Sequence, residues 1–144
     1  MSPVGRFVRR FFGGLHVRLF RLTGGAIGGR IGKAPVLLLT TVGRRTGKER
    51  VMPLLYLVDG DRHIVVASNG GAPNHPAWFL NLKARPEVAI QVKRSRQPVR
   101  ARVATSQERE GYWPKLVEIY RPYDSYRAKT TREIPVVVLE PRGD

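Results

Sequence analysis

Cysteine is absent from the 144-residue sequence, which excludes disulfide bonds, thiolate metal sites, iron–sulfur clusters and cysteine nucleophiles. Histidine is scarce, and His16, His63 and His75 are too scattered to match the spacing of a metal site. No Ser/His/Asp triad and no acidic pair suited to glycoside hydrolysis stands out. The sequence therefore predicts no resident metal and gives little support to hydrolysis, whereas chemistry carried by a bound cofactor remains open.

Acidic residues are also few, since 11 of them stand against 26 lysines and arginines and leave a formal net charge of +15. So basic a protein is expected to have an anionic partner: nucleic acid, a membrane surface, or a phosphorylated or carboxylated ligand. Composition alone does not choose among the three. The length fits one ordinary domain, and 42% hydrophobic residues suffice for a core without cross-links.

Long apolar runs are missing, because Val36–Leu39 and every other unbroken run have five residues or fewer, far below the roughly 20 residues that a membrane-spanning helix needs. Residues 1–33 stand apart from the rest, since they carry seven basic and no acidic residues. Apolar residues recur there at steps of three and four, which predicts a helix with one apolar stripe: Val4, Val8, Phe11, Leu15, Leu19 and Leu22. This helix either lies flat on an anionic membrane surface or packs on its own domain or a partner subunit.

From residue 34 onward, short β-branched runs alternate with turn residues, a pattern typical of strands in hairpin order. Six strands are predicted: Val36–Val42, Val51–Val58, His63–Ser68, Val88–Lys93, Pro98–Ala104 and Ile134–Leu139. Pro76 is expected to open a short helix, and Thr105 with Glu108 forms a capping box for a longer helix. The sequence thus predicts an N-terminal helix and linker at 1–33 and one mainly β (α+β) domain at 34–144. That domain is either a small closed barrel or an open antiparallel sheet covered by helices.

The turn between the first two predicted strands is basic and contains two glycines. Glycine lets backbone N–H groups converge on an anion, and arginine grips phosphate or carboxylate through two parallel hydrogen bonds. The spacing does not match a Walker phosphate-binding loop, so an anion site and an ordinary charged hairpin both remain open. The residues concerned are Gly43, Arg44, Arg45, Thr46, Gly47 and Arg50.

Two further motifs suit a flat ligand. Ser68-Asn69-Gly70-Gly71 follows a predicted strand, and its bare glycine backbone lets a ring lie close. Trp78 and Asn81 are three residues apart and share a helix face, so the indole could stack on a ring while the amide binds a ring edge or a phosphate. A core position is the simpler alternative for Trp78.

Tyr120, Tyr123 and Tyr126 recur at steps of three, which brings their rings together if the segment is a helix or a turn followed by a helix. A phenol has an apolar body and a polar tip, so three of them suit the lining of a pocket for a flat polar substrate. An aromatic core stripe is the alternative, although Pro122 argues against one continuous stripe.

In order and spacing these motifs resemble the deazaflavin-dependent nitroreductases of actinobacteria, which use coenzyme F420 (an 8-hydroxy-5-deazaflavin) on a split β-barrel. The resemblance extends from about Ile31 to Pro141 and covers most of the chain. Its pieces are Thr-Thr-x-Gly-Arg-x-Thr-Gly-x-x-Arg at 40–50, Ala-Ser-x-Gly-Gly at 67–71, Pro-x-Trp-x-x-Asn-Leu at 76–82, Tyr-Trp-Pro at 112–114, the three tyrosines, and Ile-Pro-Val-Val at 134–137.

The resemblance implies a flavin-reductase-like split barrel that passes a hydride from reduced F420 to a flat electrophile such as a quinone or nitroaromatic. The cofactor's phosphate and oligoglutamate tail would be held by Arg44, Arg45, Thr46, Gly47, Arg50 and Pro53. The deazaflavin ring would be lined by Ser68, Asn69, Gly70, Gly71, Trp78, Asn81 and Leu82. The catalytic and substrate-binding residues would be Ser68, Tyr120, Tyr123 and Tyr126.

The resemblance also bears on location and assembly. The family's N-terminal helix is associated with membranes, which implies a cytoplasmic protein held peripherally on the inner face of the cell membrane. Split barrels often pair, so a homodimer is compatible with the sequence. Two residues depart from the family pattern: Asn69 stands where lysine is frequent, and Leu55 occupies the usual place of a tyrosine, which here is Tyr56.

Three other functions compete with this one. The same barrel could bind FMN or FAD, although the short tail of FMN leaves much of the basic surface unused. A non-catalytic protein could bind the cofactor without turnover. A nucleic-acid module is disfavoured, because the second basic run, Lys93–Arg102, lacks interleaved aromatic residues for base stacking.

Overall fold

The computed structural model describes residues 30–31 and 34–142. Within these residues the chain forms eight strands and three α-helices. Their order is β1 (Arg30–Ile31), β2 (Ala34–Val42), β3 (Glu49–Leu55), β4 (Leu57–Asp59), β5 (Arg62–Val66), α1 (Ala77–Ala84), β6 (Glu87–Val92), β7 (Ser95–Val103), α2 (Ser106–Ile119), α3 (Pro122–Lys129) and β8 (Val136–Pro141). A short 3₁₀ turn, Asn69–Gly71, lies between β5 and α1. The predicted N-terminal helix lies outside the described residues.

The strands pair antiparallel throughout, in the order β1-β2-β6-β7-β8-β5-β4, with β3 also paired to β2. The predicted antiparallel architecture with flanking helices is therefore confirmed. The predicted number of strands is wrong: apart from the two-residue β1, the described part of the sheet has seven strands rather than six, and it is not closed. The extra strand arises within the predicted strand Val51–Val58.

That predicted strand divides at Tyr56, because the chain changes its pairing partner there. Residues before it pair with β2, and residues after it pair with β5. The backbone N–H of Tyr56 donates to the carbonyl of Pro35 at 3.2 Å, and its buried ring lies 5.4 Å from that of His63. Because of this change of partner, β3 belongs to the β2–β3 ladder and β4 to the β4–β5 ladder, and the described sheet stays open between them.

The central strands bury both faces. In β8, Val137 and Leu139 face one core, and Val136 and Val138 face a second core. Alternation of side chains along a strand explains the division, since neighbouring residues point to opposite faces. The first core also contains α1, whereas the second is covered by α2 and α3. The near-continuous apolar sequence of these strands reflects burial on two sides.

The helices begin where local sequence dictates. Thr105 Oγ1 accepts from the N–H of Glu108 at 3.1 Å, and the Glu108 carboxylate accepts from the N–H of Thr105 at 2.9 Å, which confirms the predicted capping box. Pro122 occupies the first turn of α3, where its missing N–H costs nothing. Across the residues that the structure describes, no helix combines the length and apolarity needed to cross a membrane.

Candidate functional site

A cavity of about 690 Å³ opens between the basic turn that joins β2 to β3 and the first half of α1. The turn contributes Arg44, Arg45, Thr46 and Arg50 to the lining, together with the carboxylate-bearing Glu49. The helix side adds the indole of Trp78 and the amide of Asn81. Six of the predicted cofactor-binding residues therefore surround one space.

Backbone hydrogen bonds fix the basic turn. The N–H of Gly43 donates to the carbonyl of Lys48 at 2.7 Å, and the N–H of Gly47 donates back to the carbonyl of Gly43 at 2.8 Å. Gly47 has φ +71°, a conformation that glycine adopts without strain. A Cβ on Gly43 would lie 2.7 Å from Thr46 Oγ1, so the turn closes this tightly only with glycine there.

Asn81 fastens this turn to the helix. Its side chain is buried, its Oδ1 accepts from the backbone N–H of Arg44 at 3.1 Å, and its Nδ2 donates to Thr41 Oγ1 at 3.3 Å. Sequence reasoning gave Asn81 a ligand-binding role and missed Thr41. The amide lines the cavity, but its two polar atoms are already engaged in holding the start of the turn.

The charges of the cavity are unbalanced. Three guanidinium groups, Arg44, Arg45 and Arg50, face a single carboxylate, Glu49. Within residues 34–142 none of the three arginines forms an ion pair. Unpaired arginines suit phosphate or carboxylate groups, and Trp78 offers an apolar ring surface beside them. The residues therefore fit a ligand with an anionic tail and a flat ring.

A second group of predicted residues gathers around the turn Asn69–Gly71. All three residues have positive φ: Asn69 +48°, Gly70 +64° and Gly71 +79°. A Cβ on Gly71 would lie 3.0 Å from Tyr126 Cα and 3.1 Å from Tyr126 O. Glycine at this position therefore lets α3 pack directly against the turn, and it brings Ser68–Gly71 beside the tyrosines.

The three tyrosines lie together, as their spacing predicts. The ring centroids of Tyr120 and Tyr123 are 4.9 Å apart, and the hydroxyls of Tyr120 and Tyr126 are 3.1 Å apart. Burial, followed by the hydrogen bond with Tyr126, raises the pKa of Tyr120 to about 12. Burial also raises the pKa of Tyr123, which packs in the second core. Tyr120 and Tyr123 therefore stay protonated at neutral pH.

The remaining predicted residues do not line the 690 Å³ cavity. Leu82 is 2% exposed in the first core, and Pro53 faces Leu38 in the β2–β3 ladder. Ser68–Gly71 and the tyrosines form the separate group just described. The segment 72–76 joins the two groups, since the side-chain amide of Asn69 donates to the carbonyl of Asn74 at 3.0 Å and Pro76 lines the cavity.

Arg132 is a residue that sequence reasoning missed. Its guanidinium donates to the carbonyl of Ser68 at 2.7 Å and to that of Ala72 at 2.9 Å. The partners are 60 or more residues away along the chain, and no local pattern signals such a contact.

Comparison with known proteins identifies the family of the chain. A family model described as F420H(2)-dependent quinone reductase matches residues 14–141. The chain belongs to the F420H(2)-dependent quinone reductase family. Membership confirms the resemblance to F420-dependent reductases seen in the motifs.

Individual relatives agree with this family. The F420H(2)-dependent quinone reductase Rv1261c of Mycobacterium tuberculosis (strain ATCC 25618 / H37Rv) is 42% identical over 134 residues, which are 89% of each chain. A solved F420-H2 dependent reductase, FDR-A, is similar with a TM-score of 0.68 and 42% identity over 74% of this chain and 94% of its own. A solved domain-swapped dimer is similar with a TM-score of 0.71 and 36% identity over 96% of this chain and 100% of its own.

Proposed function

We propose that this protein is an F420H(2)-dependent reductase that reduces a quinone, with nitroaromatics as further electrophiles. The cavity carries the proposal, because it sets the three unpaired arginines of the turn beside Trp78. When bound, reduced F420 supplies the hydride from its deazaflavin ring. The chain's own task is to bind, orient and stabilise charge.

The basic turn is proposed to hold the anionic part of the cofactor. Arg44, Arg45 and Arg50 would pair with the phosphodiester and the carboxylates of the oligoglutamate tail. FMN ends in a single phosphate and would leave part of this charge unmatched. The arrangement therefore favours F420 over FMN among ring cofactors.

The tyrosine group is proposed to bind the electrophile. A carbonyl oxygen that gains negative charge during reduction would accept a hydrogen bond from Tyr126 or Tyr120, whose hydroxyls already lie within 3.1 Å of each other. Ser68 Oγ would be a further donor at the start of the glycine turn. Tyr123 is 5% exposed, and its role would be to position the other two rings.

The N-terminal segment is proposed to hold the protein on the inner face of the cell membrane. Its seven basic residues and the apolar stripe of 1–22 support this. A second basic surface lies at the turn between β6 and β7, where Lys93, Arg94 and Arg96 are exposed. Leu38 faces Gln91 in the β2–β6 ladder, so this turn lies toward the start of β2 at Ala34, the first residue after the N-terminal segment. Liposome sedimentation of the full chain and of a 1–22 deletion tests the assignment; equal sedimentation would reject it.

A homodimer is proposed as well. One solved relative is described as a domain-swapped dimer, and β3 has an edge with no partner strand in the described sheet. Light scattering on the purified chain decides between one and two copies.

The catalytic proposal is tested by steady-state turnover. F420H2 is mixed with a water-soluble quinone, and oxidation of F420H2 is followed by its absorbance. Turnover that depends on both reactants is expected. Tight F420 binding without turnover of any quinone or nitroaromatic would instead favour a cofactor-binding protein with no catalytic role.

A further inference from the structure

The turn Asn69–Gly71 has a left-handed backbone that is held by hydrogen bonds from inside and outside the turn. Asn69 has φ +48° although it is not glycine, and two positive-φ glycines follow it. Glycine adopts positive φ without strain and asparagine tolerates it, and two local hydrogen bonds close the turn: Gly71 N–H to the carbonyl of Ser68 at 2.9 Å and Ala72 N–H to that of Asn69 at 3.1 Å. Further hydrogen bonds come from Arg132, which lies outside the turn.

Arg132 holds this turn at both of its ends. Nη1 and Nη2 donate to the carbonyls of Ala67 and Ser68, at 3.3 Å and 2.7 Å, before the turn. Nε donates to the carbonyl of Ala72 at 2.9 Å, just after it. The planar fork of one guanidinium thus spans the whole turn, a geometry that a point-like ammonium does not reproduce.

The fourth contact of Arg132 fixes the state of His75. Arg132 Nη1 lies 3.1 Å from His75 Nδ1. Arginine has only donors, so Nδ1 has to accept and the ring proton has to be on Nε2. Burial, followed by the charge of Arg132, lowers the pKa of His75, which keeps this acceptor available at neutral pH.

We infer that Arg132 is a positioning residue for Ser68–Gly71, the segment that the proposed function assigns to the deazaflavin ring. Its hydrogen bonds hold this segment against α3, so that Gly71 contacts Tyr126. Arg132 follows α3 by three residues, and one side chain therefore couples Ser68–Gly71 to the helix that carries Tyr123 and Tyr126. The inference rests on the proposed function, because that function assigns the turn to the deazaflavin ring.

The test compares two arginine-to-lysine exchanges in the full-length protein. Arg132→Lys keeps the charge but loses the fork. Arg121→Lys is the matched control at the other end of α3, where the side chain is exposed. Hydrogen–deuterium exchange of peptides covering 67–75 reports on the turn without cofactor, and fluorescence titration with F420 reports on binding.

For Arg132→Lys we expect faster exchange confined to 67–75 and an F420 Kd weaker by about tenfold, since small misplacements of binding groups have large effects. Arg121→Lys is expected to match the wild type within about twofold in both measurements. Guanidinium at low millimolar concentration is expected to restore F420 binding to Arg132→Ala, an effect that general destabilisation does not produce.

Two outcomes overturn the inference. Unchanged exchange in 67–75 would show that Arg132 does not hold the turn. Faster exchange spread over the whole domain, with no guanidinium rescue, would show a role in folding alone. If the wild type fails to bind F420, the proposed function fails, whereas the exchange data still decide whether Arg132 holds the turn.

Discussion

The side chain of Asn81 accepts a hydrogen bond from the backbone N–H of Arg44 at 3.1 Å across 37 residues of sequence. This contact ties the first arginine of the basic turn to α1. The shape of the anion site therefore depends on a buried amide as well as on the arginines themselves.

Asn81→Leu removes both hydrogen bonds of this amide and leaves the Arg44 N–H and Thr41 Oγ1 without that partner. We expect a loss of about 1–3 kcal/mol in the free energy of unfolding, the cost typical of an unsatisfied buried group. F420 affinity is expected to fall about tenfold as the turn loosens. Urea denaturation and fluorescence titration check the two effects. An F420 Kd within twofold of the wild type would mean that the turn holds its shape without Asn81.

The cavity charges predict opposite effects for two neighbouring residues. Arg50→Gln is expected to weaken F420 binding several-fold, and Glu49→Gln is expected to strengthen it, because the first change removes attraction and the second removes repulsion. Both effects are expected to shrink in high salt. Arg94→Gln, in the turn between β6 and β7, is the control, since it lies near the other end of β2. The charge argument is wrong if Arg94→Gln weakens binding as much as Arg50→Gln does.

Tyr126→Phe removes one hydroxyl of the pair that Tyr126 forms with Tyr120. We expect kcat to fall roughly ten- to a hundredfold, as for other donors to a developing oxyanion, with the F420 Kd nearly unchanged. Tyr112→Phe is the matched control, because it removes a hydroxyl that donates to Asp59 at 2.5 Å. Steady-state kinetics of both variants check this. If Tyr126→Phe abolishes cofactor binding instead, its assignment to the substrate is wrong.

Two glycine-to-alanine exchanges are expected to differ in sign. Gly71→Ala places a Cβ 3.0 Å from Tyr126 Cα at φ +79°, so we expect a loss of about 1–3 kcal/mol in the free energy of unfolding. In Gly111→Ala the new Cβ meets open space on α2, and a gain of about 0.5–1 kcal/mol is expected. Thermal and urea denaturation measure both. Equal changes in the free energy of unfolding for the two variants would contradict the close packing of α3 on the turn.

Stability is expected to rise with pH through the range near 6.5. Burial lowers the pKa of His63 and of His75 below the ordinary value of 6.5, so the unfolded chain binds protons before the folded chain does. The contribution is complete above pH 6.5 and is lost as the pH falls toward the lowered folded values. The hydrogen bond from Arg102 lowers the pKa of Glu108 to about 2. Protonation of this carboxylate therefore affects stability only in more acidic solution. Urea denaturation between pH 5 and 8 is expected to show a flatter slope for His75→Gln; an identical slope would contradict it.

Local patterns in the sequence identified the local features of the fold. Thr105 and Glu108 are three residues apart, so their contact follows from helix geometry. Tyr123 and Tyr126 share α3 at a spacing of three, whereas Tyr120 joins them from the break between α2 and α3. The break at Tyr56 could not be predicted, because both sides of it read as strand and only the sheet decides which neighbour each side meets. The sequence pattern predicted that this segment is a strand. Which neighbouring strand each half pairs with is decided only in the assembled sheet.

The sequence predicted the residues that line the cavity. It did not predict the hydrogen bonds between residues that fix the shape of the site. The arginines of the turn can be recognised in the sequence by their charge and by the glycines that flank them. Asn81 looked like a ligand for the cofactor, but its amide is engaged with Thr41 and Arg44. Arg132 contacts backbone carbonyls, and a carbonyl acceptor leaves no trace in the identity of the residue that provides it.

The central claim is that the basic turn and Trp78 form a site for a long polyanionic ring cofactor. A fluorescence titration with F420, run beside FMN at two salt concentrations, tests it most directly. We predict saturable F420 binding that is tighter than FMN binding and that weakens markedly in high salt. Equal or tighter binding of FMN, or F420 binding indifferent to salt, would contradict the account.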